Sequence, residues 1–242
     1  MHSSIYASFF TALLASTVSA HGHVAKIVAD GETYTGGIPH SAPADAVGWA
    51  AGNQDNGFVA PDAFNTEDIL CHKDGKPVKN AVTVAAGNTV TLTWDTWPES
   101  HKGPVTDYLA PVAGAFTNID KSRLKFAKIA EQGLVSGSNP GKWASDALMA
   151  DSFSWDVTIP ANLKPGNYVL RHEILALHSA GQENGAQAYP QCINIKVTGS
   201  GTGTLKGGDL TTFYKAADPG VLFNLYGAFS SYEIPGPKVQ KV

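Results

Sequence analysis

The chain is poor in the features that announce many functional classes. It has two arginines, Arg123 and Arg171, and no basic run, so it lacks the electrostatic footprint of a nucleic-acid binder. Charged residues make up 16% of its 242 residues and the net charge is −4, so neither sign dominates the surface. It has two cysteines, Cys71 and Cys192, and no Cys-x-x-Cys spacing, which removes the common thiolate zinc sites. No Asn-x-Ser/Thr sequon occurs, so N-glycosylation is not expected. Beyond residue 20 no apolar run is long enough to cross a bilayer, so no membrane partner is expected. No flavin or haem motif is visible, so any redox chemistry must draw its electrons from outside. Helical periodicity is weak throughout, with one short candidate at 144–150.

What is present is turn chemistry and β-type alternation. There are 25 Gly and 14 Pro, and 43% of residues are hydrophobic. Residues 23–29 (HVAKIVA) read as a first strand, 81–94 as two strands around an Ala-Gly-Asn turn, and 125–131 as a short strand. Residues 153–159 (FSWDVTI) alternate and stop at Pro160, 166–177 follow a Lys-Pro-Gly turn, and 191–197 close the set. Strands separated by turns, with almost no helix, predict an all-β fold. The expected form is an antiparallel, immunoglobulin/fibronectin-like β-sandwich with long loops. The stretch 35–62 is long, unperiodic and rich in Gly, Pro and Ala, the kind of loop that is usually functional. Residues 205–242 are too short for a second domain and are expected to wrap back over the sandwich.

The N-terminus reads as a secretion signal over residues 1–20. Residues 4–20 carry no charged side chain, their apolar run is about Ile5 to Leu14, and Val18-Ser19-Ala20 suits a signal peptidase. Cleavage after Ala20 leaves residues 21–242 as a single catalytic domain with no appended carbohydrate-binding module. In a secreted, extracellular chain, an even pair of cysteines most simply forms one disulfide, the alternative being two buried thiols.

The cut turns His21 into the first residue, with an α-amine and an imidazole as two nitrogen donors. Neutral imidazole is a common transition-metal ligand, and an α-amine near pKa 8 gives up its proton readily. A local copper chelate could use the imidazole of His23. A long-range one would use a distant histidine, and His101, His172 and His178 are the candidates. His40 and His72 read as ordinary loop residues. Carboxylates for hydrolysis, Asp95, Glu99, Asp107 and Glu173, have no placeable partner and read as surface carboxylates.

Several motifs then stand in order: the His21-Gly22 start, residues 65–71 (NTEDILC), His101-x-Gly103-Pro104-Val105 with Tyr108-Leu109-Ala110, residues 171–180 (RHEILALHSA), residues 185–192 (GAQAYPQC) and residues 230–237 (SSYEIPGP). Together they resemble the fungal lytic polysaccharide monooxygenases of auxiliary activity family nine, formerly family-61 glycoside hydrolases, across the whole of residues 21–242. The resemblance implies one copper ion per chain, held by the amine and ring of His21, the ring of His101 and, more weakly, the phenol of Tyr189. It implies that His178 and Gln187 lie beside the metal and move protons, with His172 a structural strand residue, although the sequence alone leaves open which of His172 and His178 is which. It implies a Cys71–Cys192 disulfide. It implies oxidative cleavage of a β-1,4-glucan at C1 or C4 with O2 or H2O2, a cellulose or related β-glucan surface as partner, an external reductant, and a monomer. Tyr232 matches a surface tyrosine position of the family, and Tyr34 and Trp49 in the early loop could join it as sugar contacts. Trp49 reads equally as a partly buried loop anchor. Residues 36–62 are poorer in tyrosine than the aromatic loops of many relatives. A non-catalytic copper- or polysaccharide-binding protein of the same fold is the alternative.

Overall fold

A computed structural model describes residues 21–53 and 56–242, so the expected secretion signal lies outside the described residues. Two sheets face each other. The first is ordered β2 (Glu32–Thr35), β1 (Val24–Ala29), β4 (Thr89–Trp94), β9 (Ser154–Thr158). The second is ordered β3 (Val82–Ala85), β11 (Gln187–Thr198), β10 (Gly166–Ala176), β5 (Val105–Val112), β6 (Ala127–Gln132). A small separate pair joins β7 (Leu134–Ser136) to β8 (Lys142–Trp143). The β-sandwich is thus as expected, with one refinement. β3 and β4 flank a tight turn but do not pair. β3 crosses to the second sheet and runs parallel to β11.

Side-chain parity along the strands explains the layers. In β4, Val90, Leu92 and Trp94 point inward while the threonines between them are half-buried. The central strand β10 is buried on both faces. Tyr168, Leu170, Ile174 and Ala176 enter the core between the sheets, and Val169 and Leu175 enter a second core under the loops. β11 divides in the same way: Tyr189, Ile193 and Ile195 face the first core, Ala188 and Cys192 the second.

The second core anchors the crossing segments. Helix α1 (Asp68–Cys71) ends at the disulfide to Cys192, with Cα atoms 5.3 Å apart. The fully buried Arg171 guanidinium donates to the carbonyls of Ile69 and Leu70 and pairs with Glu173, which also accepts from Tyr214. Burying a charge is costly unless it is paired and bonded, and these partners meet that need at Nε and Nη2, while Nη1 has no hydrogen bond. Helix α2 (Ala144–Ala150) falls where the one helical pattern was expected.

The long early loop covers an edge. β3 pairs with β11 only from Ile195 onward. Upstream, loop residues take that place: Trp49 N–H donates to Cys192 O at 2.8 Å, Asn194 N–H to Val47 O at 3.0 Å, and Val59 and Ala188 exchange bonds. An open strand edge is thereby closed. The C-terminal tail wraps back as expected, with Gln240 N–H on Lys128 O and Val242 packed against the sandwich core.

Candidate functional site

The N-terminal arm enters the fold along β4. Val24 N–H donates to Gln191 Oε1 at 3.3 Å and His23 N–H to Asp95 Oδ1 at 2.8 Å. This directs His21 over the end of the sandwich where β11 begins. His101 arrives on the loop between β4 and β5. That loop is fixed on several sides: His101 N–H donates to Pro98 O, Gly103 N–H to Ser145 Oγ, Leu177 N–H to Lys102 O, and Lys102 pairs with Asp146 of α2. Tyr189 comes from β11, and its parity turns it inward beneath both histidines.

The rings meet closely. His21 lies 5.1 Å from His101 and 5.4 Å from Tyr189, centroid to centroid. His178, just past the end of β10, lies against His101 at 3.9 Å with 31° between the planes. The Tyr189 hydroxyl donates to Gln187 Oε1 at 2.7 Å. His21, His101, His178, Gln187 and Tyr189 therefore share one site.

Whether a metal suits this group is decided by His101. Its Nδ1 lies 3.1 Å from Ser100 Oγ, and its Nε2 is buried with no hydrogen-bond partner. With the proton on Nδ1, the Nε2 lone pair is a donor held ready inside the site. Burial first, then the neighbouring His178 and His21, push the His101 imidazole down to about 3, so it is neutral when a metal is to be bound. His178 is lowered by the same causes, burial and then His21, and its Nδ1 is also buried without a hydrogen bond. Among the described residues no group of three or more His, Cys, Asp or Glu side chains is arranged to hold an ion. The donor set is completed only by the His21 α-amine, which a cut after Ala20 would create. Nitrogen donors with a weaker phenol oxygen are a ligand set that suits Cu(II).

Other candidates are placed elsewhere. His172 is fully buried in the core, accepting from Trp94 Nε1 at 3.0 Å and bonded to Asp107 at 2.7 Å, so it does not exchange with His178. His23 Nδ1 lies 3.2 Å from Asp95 Oδ2, so a local chelate would have to draw it off that carboxylate. Trp49 is corrected from a sugar platform to a core anchor. It is 6% exposed and donates to Asn194 at 2.7 Å. Tyr34 packs on the sandwich core, and its hydroxyl accepts from Thr83 N–H. Tyr232 is half-buried edge-on to Trp143 and Phe223, and its hydroxyl donates to Gly220 O at 2.6 Å, so it is a clasp for the tail. The carboxylates do not form an acid pair, and two of them are corrected from surface to core: buried Asp107 serves His172 and Trp155, and buried Glu173 serves Arg171 and Tyr214.

Three further aromatic residues, to which the sequence assigns no site role, belong to this end of the molecule. Phe58 brings its ring to 6.4 Å from His21 and 6.1 Å from Tyr189. Trp97 stands edge-on to His101 and Tyr189. Tyr226 is 54% exposed on the tail segment that docks, through Phe223 N–H to Ala180 O, on the turn following His178. Of the two tail tyrosines, Tyr226 is therefore the one with an exposed ring and Tyr232 the one bonded into the fold.

The family model for Auxiliary Activity family 9 (formerly GH61) matches residues 21–232. An AA9 family lytic polysaccharide monooxygenase F of Malbranchea cinnamomea is 58% identical over 226 residues, covering 93% of each chain. Among solved structures, the extended catalytic domain of H. jecorina LPMO9A superposes with a TM-score of 0.86 at 49% identity over 90% of each chain. A structure described as a cellulose-active polysaccharide monooxygenase from M. thermophila superposes with a TM-score of 0.80 at 31% identity, over 91% of this chain and 99% of that one.

Proposed function

The chain belongs to Auxiliary Activity family 9, the copper-dependent lytic polysaccharide monooxygenases, and on that premise we propose that it is secreted and oxidatively cleaves β-1,4-glucan, cellulose first, at C1 or C4. The observation that carries the proposal is the buried, unbonded Nε2 of His101 beside the His21 ring. Release of residues 1–20 is part of it, supported by a family match that begins at His21 and by a disulfide suited to an oxidising compartment. Cellulose as substrate is supported by the relative from M. thermophila.

The His21 amine and ring and the His101 Nε2 would hold the copper, with Tyr189 closing one side. Bound copper supplies one-electron chemistry that activates O2 or H2O2 for oxygen insertion at a glycosidic carbon. With O2, that insertion consumes two electrons from an external reductant and two protons, and yields a hydroxylated sugar and water. The hydroxylated carbon then expels its neighbouring sugar. His178, its ring 3.9 Å from that of His101, would hold and pass on a proton beside the metal, and the burial that lowers its pKa favours giving that proton up. Gln187 holds the Tyr189 hydroxyl and so fixes that face of the site. Tyr226 offers an exposed ring to a sugar face.

The test is product analysis on cellulose with copper-loaded protein. Aldonic acids or 4-ketoaldoses that require added reductant are expected, and Tyr226→Ala is expected to weaken cellulose binding by roughly fivefold, about 1 kcal/mol. Tyr232→Ala should instead lower the melting temperature. Neutral sugars formed without reductant would make the protein a hydrolase. Tight copper binding without any product would leave a non-catalytic binding protein.

A further inference from the structure

One short turn, Trp94-Asp95-Thr96-Trp97, lies between β4 and the His101 loop and touches both halves of the site. On one side it grips the N-terminal arm. Asp95 Oδ1 accepts the His23 N–H at 2.8 Å, Oδ2 lies 3.2 Å from His23 Nδ1, and Asp95 N–H donates to His23 O at 3.0 Å. Gly22 passes so close to the Thr96 carbonyl that a Cβ would overlap it, and that Cβ would stand 2.6 Å from Asp95 Oδ1. Chain termini are poorly ordered unless tied down, and these contacts tie down the residues that follow His21.

On the other side the turn grips His101 and Tyr189. Trp97, 3% exposed, donates its indole N–H to His101 O at 2.9 Å. The same ring meets His101 at 5.8 Å and 84°, and Tyr189 at 4.9 Å and 86°. Behind it stands Trp94 at 5.1 Å, itself fixed by its bond to His172. An indole N–H is only a donor and cannot ligate a metal. The Asp95 carboxylate is committed to His23 and to Thr96 N–H.

We infer that Asp95 and Trp97 are positioning residues: one turn holds the arm bearing His21, the loop bearing His101 and the ring of Tyr189 in register before a metal arrives. The inference rests on the reading of His21 and His101 as metal ligands. Its physical basis is preorganisation, because a floppy arm would have to be ordered on binding and affinity would fall accordingly.

The experiment uses the chain beginning at His21, with its N-terminus verified by mass and Cu(II) as the probe. Asp95→Ala and Trp97→Phe are each expected to weaken Cu(II) binding by about 10–100-fold, the range for groups that orient metal ligands. Trp97→Phe is also expected to change the Cu(II) hyperfine splitting in electron paramagnetic resonance. Tyr168→Phe is the comparator. It removes a hydroxyl bond to Lys164 O at the end of β10 far from the site, and should lower the melting temperature while leaving affinity and spectrum unchanged. If Asp95→Ala and Trp97→Phe behave like Tyr168→Phe, the inference is overturned. His101→Ala separates the two levels. Wild-type affinity in that variant removes the ligand reading itself, whereas its loss beside normal binding by Asp95→Ala and Trp97→Phe removes the positioning role alone. Should Trp97→Phe not fold, Asp95→Ala carries the test, since its side chain is 35% exposed.

Discussion

His101→Ala lowers copper affinity by more than about 100-fold and abolishes oxidised products while the sandwich stays folded. Removing a group that merely orients a metal ligand costs about 10–100-fold, so removing the ligand itself exceeds that range. The fold survives because the His101 loop is held largely by bonds that do not use the imidazole. Lys102 remains paired with Asp146, Gly103 N–H remains on Ser145 Oγ, and Leu177 N–H remains on Lys102 O. Calorimetric titration beside circular dichroism reads both parts of the prediction. His23→Ala is the matching control. Its ring lies against Asp95, so copper affinity should change far less than in His101→Ala. The reverse order of the two variants would restore the local chelate through His23.

Replacing both Cys71 and Cys192 by serine destabilises the fold by about 4–5 kcal/mol, the chain-entropy value for a closed loop of this size. The two cysteines are 121 residues apart, so the bond restrains half of the unfolded chain. For a domain of this length that corresponds to a drop in melting temperature of ~8–20 °C. The site itself should persist below the transition. Tyr189 and Gln187 are held by the β10–β11 ladder, in which Ile174 faces Tyr189 and Ala176 faces Gln187. Helix α1 keeps its Arg171 bonds to the Ile69 and Leu70 carbonyls. A thermal scan and a copper titration of the same variant check both statements. Copper binding lost at temperatures where the fold is intact would show that the disulfide shapes the site directly.

Parity and punctuation made much of the fold legible. The alternation in β4 and β9, the Lys-Pro-Gly turn before β10 and the short helical stretch at Ala144–Ala150 all appear where their patterns lie. Alternation says which side of a strand is buried but not which sheet the strand joins, so the departure of β3 to the second sheet was hidden. His101 was visible through its motif and His21 through the expected cut. The choice between His172 and His178 was also within reach. His172 shares parity with Leu170 and Ile174 and so faces the core, while His178 lies past the strand end. Loop aromatics offer no such rule. Trp49 reads equally as a sugar contact or a loop anchor, Tyr34 as a possible contact from its loop, and Tyr232 as a surface position through the resemblance alone, yet each hydroxyl or indole is bonded to the fold. Tyr226 carried no distinguishing pattern, and only its exposure on the segment that docks on the turn after His178 singles it out.

On the proposed function, the site as a whole depends on a single covalent event, the creation of an α-amine at His21. An amine near pKa 8 can bind a metal at neutral pH with the loss of one loosely held proton, whereas a peptide nitrogen at the same place cannot do so without losing a tightly held one. Copper titration therefore compares a chain beginning at His21 with one that retains Ala20, the two differing by one residue. The chain beginning at His21 is predicted to bind one copper ion tightly, and the extended chain to bind it more than about 100-fold more weakly, since a ligand is lost rather than a supporting group. Equal affinity in the two chains would contradict a metal centre built on the N-terminal amine.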